Sequence, residues 1–154
     1  MASTYAPVVR KAVRSDAQAI HTLVDALADY EKLERPTVEA RARIVEDLFG
    51  PKPRLECWLA FLDGYPVGYA FALETYSSFL ALPSLYLEDL FVLPEYRSRK
   101  AGLALFNEVL GEARRRGCGR MEWTVLDWNQ LAIDFYQRLG ATYMKEWHLY
   151  RIAL

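Results

Sequence analysis

Metal-binding and nucleophilic chemistry have little to work with in this sequence. It holds two cysteines, Cys57 and Cys118, with neither CxxC spacing nor a disulfide framework, and two histidines, His21 and His148, with no Cys/His cluster. No metal site and no histidine-based triad are expected, and a reducing, cytoplasmic setting fits best. No uninterrupted apolar run approaches the roughly 20 residues of a membrane-spanning helix. The N-terminal stretch MASTYAPVVRKAVRSD has no apolar signal core, so a soluble protein without a membrane partner is expected. Glycine is scarce, at 8 residues, and neither GxGxxG nor GxxxxGK[ST] occurs, which argues against dinucleotide and P-loop cradles. No Lys/Arg cluster carries interleaved aromatics, so nucleic acid is not an expected partner.

What is present suits a globular enzyme-sized chain. Its 154 residues are 53% hydrophobic and 25% charged, enough for one domain spanning 1–154 with a core that needs no disulfide. The net charge of -1 hides a division: residues 1–96 hold 9 Lys/Arg and 14 Asp/Glu, and residues 97–154 hold 10 and 6, giving -5 and +4. Solvated faces alone can produce such a split, but it also suits a protein that takes a cation on one half and an anion on the other.

Along the chain, residues 8–13 read as a strand. SDAQAIHTLVDALADYEKLE then reads as a helix, with Ser15 and Gln18 spaced as a capping box and Ile20, Leu23, Leu27 and Tyr30 on one face. A second helix is predicted after Thr37, with Val38, Val45, Leu48 and Phe49 as its buried stripe, ending at Gly50-Pro51-Lys52-Pro53. LECWLAFL and PVGYAFALETY flank the hairpin signal Asp63-Gly64. An apolar run from Leu85 to Leu93 reads as a central strand. A helix follows from about Gly102 to Arg116 with Leu103, Phe106, Leu110 and Ala113 inward. MEWTVL is the next strand, NQLAIDFYQRLG a helix closed by Gly140, and TYMKEWHLYRIAL suggests one or two final strands. The order argues an α/β (α+β) fold: a mixed, mostly antiparallel sheet with helices on both faces.

Two stretches carry the chemistry. In LEDLFVL, ideal alternation puts Leu85, Leu87, Asp89 and Phe91 on one face and Tyr86, Glu88, Leu90 and Val92 on the other, so each carboxylate has apolar neighbours. In a central strand an unpaired charge costs several kcal/mol, which favours a site over a solvated edge. EYRSRKAG then leads backbone amides into a helix N-terminus with Arg97, Arg99 and Lys100 beside it. Cations are unfavourable there unless an anion binds. Tyr136, beside Ile133, Phe135 and Leu139, reads on spacing alone as a core tyrosine.

Together, YLEDLFVLPEYRSRKAG, VLDWNQLAIDFYQRLGA and EWHLYRI resemble the GNAT N-acetyltransferase superfamily, most closely its diamine/polyamine and thialysine acetyltransferase branch; ADYEKLE resembles that branch too. The resemblance covers nearly the whole chain. It implies acetyl-CoA held between two splayed parallel strands, here LEDLFVL and MEWTVL, with the backbone of Leu90, Phe91 and Val92 receiving the acetyl and pantetheine groups. The pyrophosphate loop falls on Arg97, Ser98, Arg99, Lys100, Ala101 and Gly102, with Leu103 following. Lys100 stands where the family pattern has its first glycine, so either the backbone there does not need glycine's conformational range or the approach to phosphate is altered. Asn129, Leu131 and Ala132 match positions near the pantetheine arm. Tyr136 matches the general acid, and Glu88 the acid of the amine site. Tyr30, Glu31, Asp89, Glu122, Trp123, Thr124, Glu146 and Trp147 match positions on the amine side. A homodimer is implied as well.

The implied reaction is acetyl transfer to a primary amine by direct attack in a ternary complex. Its substrate would be a small diamine or polyamine; thialysine, an amino acid, a protein amino group or a non-catalytic CoA-sensing role are the alternatives. An alkylammonium with a pKa of about 10.4 is protonated at pH 7, so a base is required. Glu88 would serve with a raised pKa or through an ordered water. A thiolate leaving group with a pKa near 8.5 is matched by a tyrosine hydroxyl near 10, which suits Tyr136. Cys57 and Cys118 are left as ordinary core or loop residues.

Overall fold

Asp63 and Gly64 both take positive φ, 50° and 80°, the pair of left-handed residues that lets a two-residue turn match the twist of its flanking strands. That turn joins β2 (Glu56–Leu62) to β3 (Tyr65–Ser77), and the antiparallel sheet grows from it in both directions. In the computed structural model, which describes residues 6–154, β1 (Val8–Lys11) pairs antiparallel with β2, and β3 with β4 (Leu82–Val92). β5 (Arg120–Glu122) is parallel to β4, so the order is β1-β2-β3-β4-β5. Residues 1–5 of the N-terminal stretch lie outside the described residues. Two units are distinguished, one running up to Trp123 and one covering Thr124–Leu154.

In the first unit, α1 (Ala17–Glu31) and α2 (Val38–Phe49) cover one face of the sheet, and α3 (Ala101–Arg115) covers the other. The α1 face holds Ile20 and Leu23 against Cys57, Leu59, Tyr69, Phe71 and Phe91, all nearly or fully buried. The expected Ser15/Gln18 box does not start α1. A 3-10 turn over Arg14–Asp16 precedes the helix, and Asp16 accepts the Val13 amide at 2.8 Å and two bonds from the Arg10 guanidinium. Thr37 caps α2 as expected, its Oγ1 accepting the Ala40 amide at 3.1 Å. Val38 is exposed, however, and the residues packed on the core are Ile44, Leu48 and Phe49. On α3 the inward stripe is Ala101, Leu105, Phe106, Val109 and Ala113; Leu103 and Leu110 flank it, so the expected phase is off by part of a turn. Gly68 makes room for this helix, since a Cβ there would stand 2.7 Å from the Phe91 carbonyl oxygen and 3.3 Å from Leu105.

The second unit carries α4 (Gln130–Arg138). Asn129 caps it by accepting the Ala132 amide. Gly140, at φ 83°, closes it with Gly140 N–H donating to Gln137 and Ala141 N–H to Tyr136, the paired bonds of a Schellman end. Two expected strands are shorter or absent. MEWTVL forms ladder bonds only as far as Glu122, and residues 141–154 contain no strand. No described helix is long and apolar enough to cross a membrane.

Candidate active site

A change of register in β4 creates the site. Opposite β3, Phe71 pairs with Asp89 and Ala72 with Leu87, leaving Glu88 as an extra, bulged residue. Cross-strand partners share a face. Asp89 and Phe91 therefore lie with Phe71 and Tyr69 on the α1 face, while Leu85, Leu87, Leu90 and Val92 pair with Glu74, Ala72, Ala70 and Gly68 on the α3 face. The expected grouping of Leu85 and Leu87 with Asp89 and Phe91 is thus corrected: the bulge resets the alternation between Leu87 and Asp89. Glu88 is exposed at the bulge.

Asp89 is the carboxylate that the fold encloses. Its Oδ2 accepts a hydrogen bond from the Tyr69 hydroxyl at 2.8 Å, and Tyr69 is fully buried. Burial pushes the Asp89 acid up to about 6, with the charges of Glu88 and Glu31 adding to the rise and the Tyr69 hydrogen bond opposing it. Glu31, at the end of α1 and half-buried, is also raised by burial. Tyr30 packs on Phe91 with ring centroids 5.9 Å apart. Tyr30, Glu31, Asp89 and Phe91 thus form a corner where α1 meets β4, in which the carboxylates of Glu31 and Asp89 supply the charge that attracts an alkylammonium.

The other edge of β4 is paired by a described strand for only part of its length. β5 pairs only with Ser84–Tyr86, so from Leu87 to Val92 the strand has no β5 neighbour. The parallel ladder ends at this point, and the backbone of Leu90 and Phe91 lies on the stretch of β4 that β5 does not pair. Trp123, just past β5, is set edge-on against Phe106 of α3 at 5.4 Å, and the exposed Glu122 forms an ion pair with Arg120.

The loop beyond β4 settles the question posed at Lys100. Lys100 has φ 68° and caps α3, and Ser98 has φ 67°, so both stand in the left-handed region around Arg99. Glycine's range is needed there, and lysine occupies it at a cost. The first-turn amides of Ala101, Gly102 and Leu103 have no intrahelical acceptor, and alternating handedness before a helix start gathers N–H groups into an anion-binding concavity. Gly102 has ordinary φ, and a Cβ there would meet Val92 at an unstrained 3.7 Å. Protein packing does not demand this glycine; close approach of a ligand would. The cations divide their work. Arg97 turns inward, its Nε donating to the Val92 carbonyl at 3.1 Å and its guanidinium lying 4.6 Å over Tyr30 and 5.7 Å over Phe91. Arg99 lies 5.9 Å over Tyr96, and Lys100 is exposed. These features fit a pyrophosphate-bearing cosubstrate.

In the second unit, Asn129, Ala132 and Tyr136 sit on or at the start of α4, with Leu131 exposed. Burial pushes the Tyr136 phenol up to about 12, so it stays protonated and able to donate at neutral pH. Thr124, Glu146 and Trp147 are exposed, the last two in the segment without strands. Cys57 is buried with its thiol pushed up by burial, and Cys118 is partly exposed; both are unpaired thiols.

The sequence reading missed Tyr69. Its signal was a tyrosine in an apolar strand one hairpin away from an acid. Finding the partner required the register, which the bulge conceals.

A family model described as the acetyltransferase (GNAT) family matches residues 20–141. The thialysine N-epsilon-acetyltransferase of Bos taurus is 34% identical over 155 residues, covering 94% of this chain and 91% of the bovine protein. The L-ornithine N5-acetyltransferase NATA1 of Arabidopsis thaliana is 29% identical, covering 94% and 83%. Among solved structures, aminoglycoside N-acetyltransferase AAC(6')-Iy in complex with CoA superposes with a TM-score of 0.79 at 21% identity, covering 100% of this chain and 99% of that one.

Proposed function

Because the chain belongs to the GNAT acetyltransferase family, we propose that it transfers an acetyl group from acetyl-CoA to a primary amine of a small cationic molecule. The carrying observation is the stretch of β4 after Tyr86 that β5 does not pair, flanked by the Asp89 carboxylate and ended by the amides that open α3. Relatives named for thialysine and L-ornithine support an amine on a short alkyl chain; a diamine or polyamine is the finer reading, supported by the acidic corner of Glu31 and Asp89 beside Tyr30.

Acetyl-CoA supplies the activated acyl carbon and the thiolate leaving group. The amides of Ser98 to Leu103, with Arg99 and Lys100, hold the pyrophosphate, while Arg97 braces the loop against β4. Asn129, Leu131 and Ala132 serve the pantetheine arm. The backbone of Leu90, Phe91 and Val92 orients the thioester, and an amide there stabilises the oxygen as charge develops. On the amine side, Tyr30, Glu31, Glu88 and Asp89 draw in the ammonium, with Glu122, Trp123, Thr124, Glu146 and Trp147 assigned to the same side by the family pattern. Glu88, exposed at the bulge, orders water for the outgoing proton. Tyr136 protonates the leaving thiolate, a role assigned by its motif and supported by its protonated phenol. The reaction needs neither a metal nor an acyl-enzyme. We also propose a homodimer, on the strength of the exposed apolar side chains Tyr143, Trp147, Leu149, Tyr150 and Ile152.

Thiol release from acetyl-CoA, measured against putrescine, spermidine, ornithine, lysine, thialysine and a peptide amine, tests the activity. Turnover is expected on at least one small amine and not on the peptide. CoA binding without turnover on any of them would overturn the reading. Tyr136→Phe is expected to lower kcat at least about a hundredfold with CoA binding retained; an unchanged rate would remove Tyr136 from its role.

A further inference from the structure

Neighbouring carboxylates on β4 meet different environments. Glu88 is exposed on the bulge, whereas Asp89 is turned to the α1 face among Tyr69, Phe71 and Phe91. We propose that Tyr69 is a positioning residue: its buried hydroxyl, donated to Oδ2, keeps Asp89 ionised and fixed so that Oδ1 takes one proton from the incoming alkylammonium. The products of that step are the neutral amine and protonated Asp89, and the proton then passes to the water that Glu88 orders before the next turnover. The inference rests on the reading of the chain as an amine acetyltransferase.

Several charged or titratable groups face this carboxylate. Glu88 adjoins it on β4, Glu31 and Tyr30 approach from α1, Cys57 lies behind on β2, Tyr69 donates from β3, and Arg97 stacks over Tyr30 and Phe91. Burial, Glu88 and Glu31 all favour the protonated acid, and the Tyr69 hydrogen bond favours the carboxylate. Without that bond the site would drift toward a neutral acid, which neither attracts a cation nor accepts its proton. With it, burial still holds the Asp89 acid up at about 6. Ionised at neutral pH, it is roughly a hundredfold more basic than an ordinary aspartate. A proton acceptor poised just below the working pH is the form general-base catalysis favours. Tyr69 has no other evident need for its hydroxyl: its ring fills the core, edge-on to Phe71 at 4.8 Å, and phenylalanine would fill the same space.

The test compares kcat/KM across pH for the unaltered enzyme, Tyr69→Phe and Asp89→Asn, with the melting temperature of each recorded. The unaltered enzyme is expected to lose activity below about pH 6. In Tyr69→Phe that acid limb should move up by about one pH unit. Asp89→Asn should lose the limb together with about a hundredfold in rate. A limb in Tyr69→Phe that superposes on the unaltered one, or one that survives in Asp89→Asn, overturns the proposal. Carbon-13 NMR titration of the Asp89 carboxyl in the unaltered protein needs no turnover. The same titration in Tyr69→Phe is expected to give a midpoint higher by about one pH unit, and coincident midpoints in the two proteins would overturn the dyad. Absence of turnover on every amine would instead count against the acetyltransferase reading, leaving the titration to judge the dyad separately.

Discussion

Lys100 pays for its place in the backbone. An L-residue held at φ 68° carries about 1 kcal/mol or more of strain that glycine would not. Lys100→Gly is therefore expected to raise stability by about 0.5–1 kcal/mol, seen as a higher Tm; a fall would show that the lysine side chain makes a stabilising contact. A lysine at a strained, exposed position beside the first-turn amides of α3 brings positive charge to where an anion would bind. Lys100 also marks what single residues disclose. The motif identified the loop and the missing glycine, but only the dihedral angle decided between the two explanations. Asp89 and Tyr69 show the same limit: both residues are plain in the sequence, while their 2.8 Å bond depends on a pairing that no local pattern specifies.

Among the elements, α3 is tied to the sheet at its far end by charge. Arg116, just past the helix, donates both terminal nitrogens to Glu56 of β2 at 2.7 Å and its Nε to Glu112, while Lys11 of β1 reaches Glu56 at 2.6 Å. The Arg116 hydrogen bonds, then Lys11, hold the Glu56 carboxyl below its ordinary 4.5, against a rise from burial. Because the folded value is depressed, the stabilisation is complete above about pH 4.5 and is lost as pH falls through the lower folded value. Arg116→Gln is expected to cost about 1 kcal/mol at pH 7 after allowing for solvent screening. That difference should shrink in urea titrations below pH 4; an equal penalty at both pH values would count against the ion pair as its origin. Element type was legible throughout the first unit because hydrophobic periodicity and turn residues report it locally. The phase of α3 was less so: an apolar-rich helix offers Leu103 and Leu110 as readily as Leu105 and Val109, and the sheet makes the selection. β5 stopped early for a reason outside its own sequence. MEWTVL has strand composition, but its ladder with β4 ends at the Tyr86–Glu122 pair, and a local pattern does not report where pairing stops.

For the molecule as a whole, segregated charge and an exposed apolar segment make different demands. The latter predicts association: light scattering is expected to give twice the chain mass, and Trp147→Glu combined with Tyr150→Glu to shift the population toward monomer. A monomeric unaltered protein would rule out the homodimer. The residues that set the site register lie in the first unit, and there the core keeps a simple account. If Glu88 is skipped, Leu85, Tyr86, Leu87, Asp89, Leu90, Phe91 and Val92 alternate perfectly between the α3 and α1 faces. Packing would be satisfied by a chain one residue shorter, so Glu88 is, for folding purposes, an insertion that the sheet tolerates without using. Its deletion is expected to leave a folded protein with a Tm within a few degrees of the original and no transferase activity, an uncommon case in which removing a residue from a central strand separates catalysis from stability.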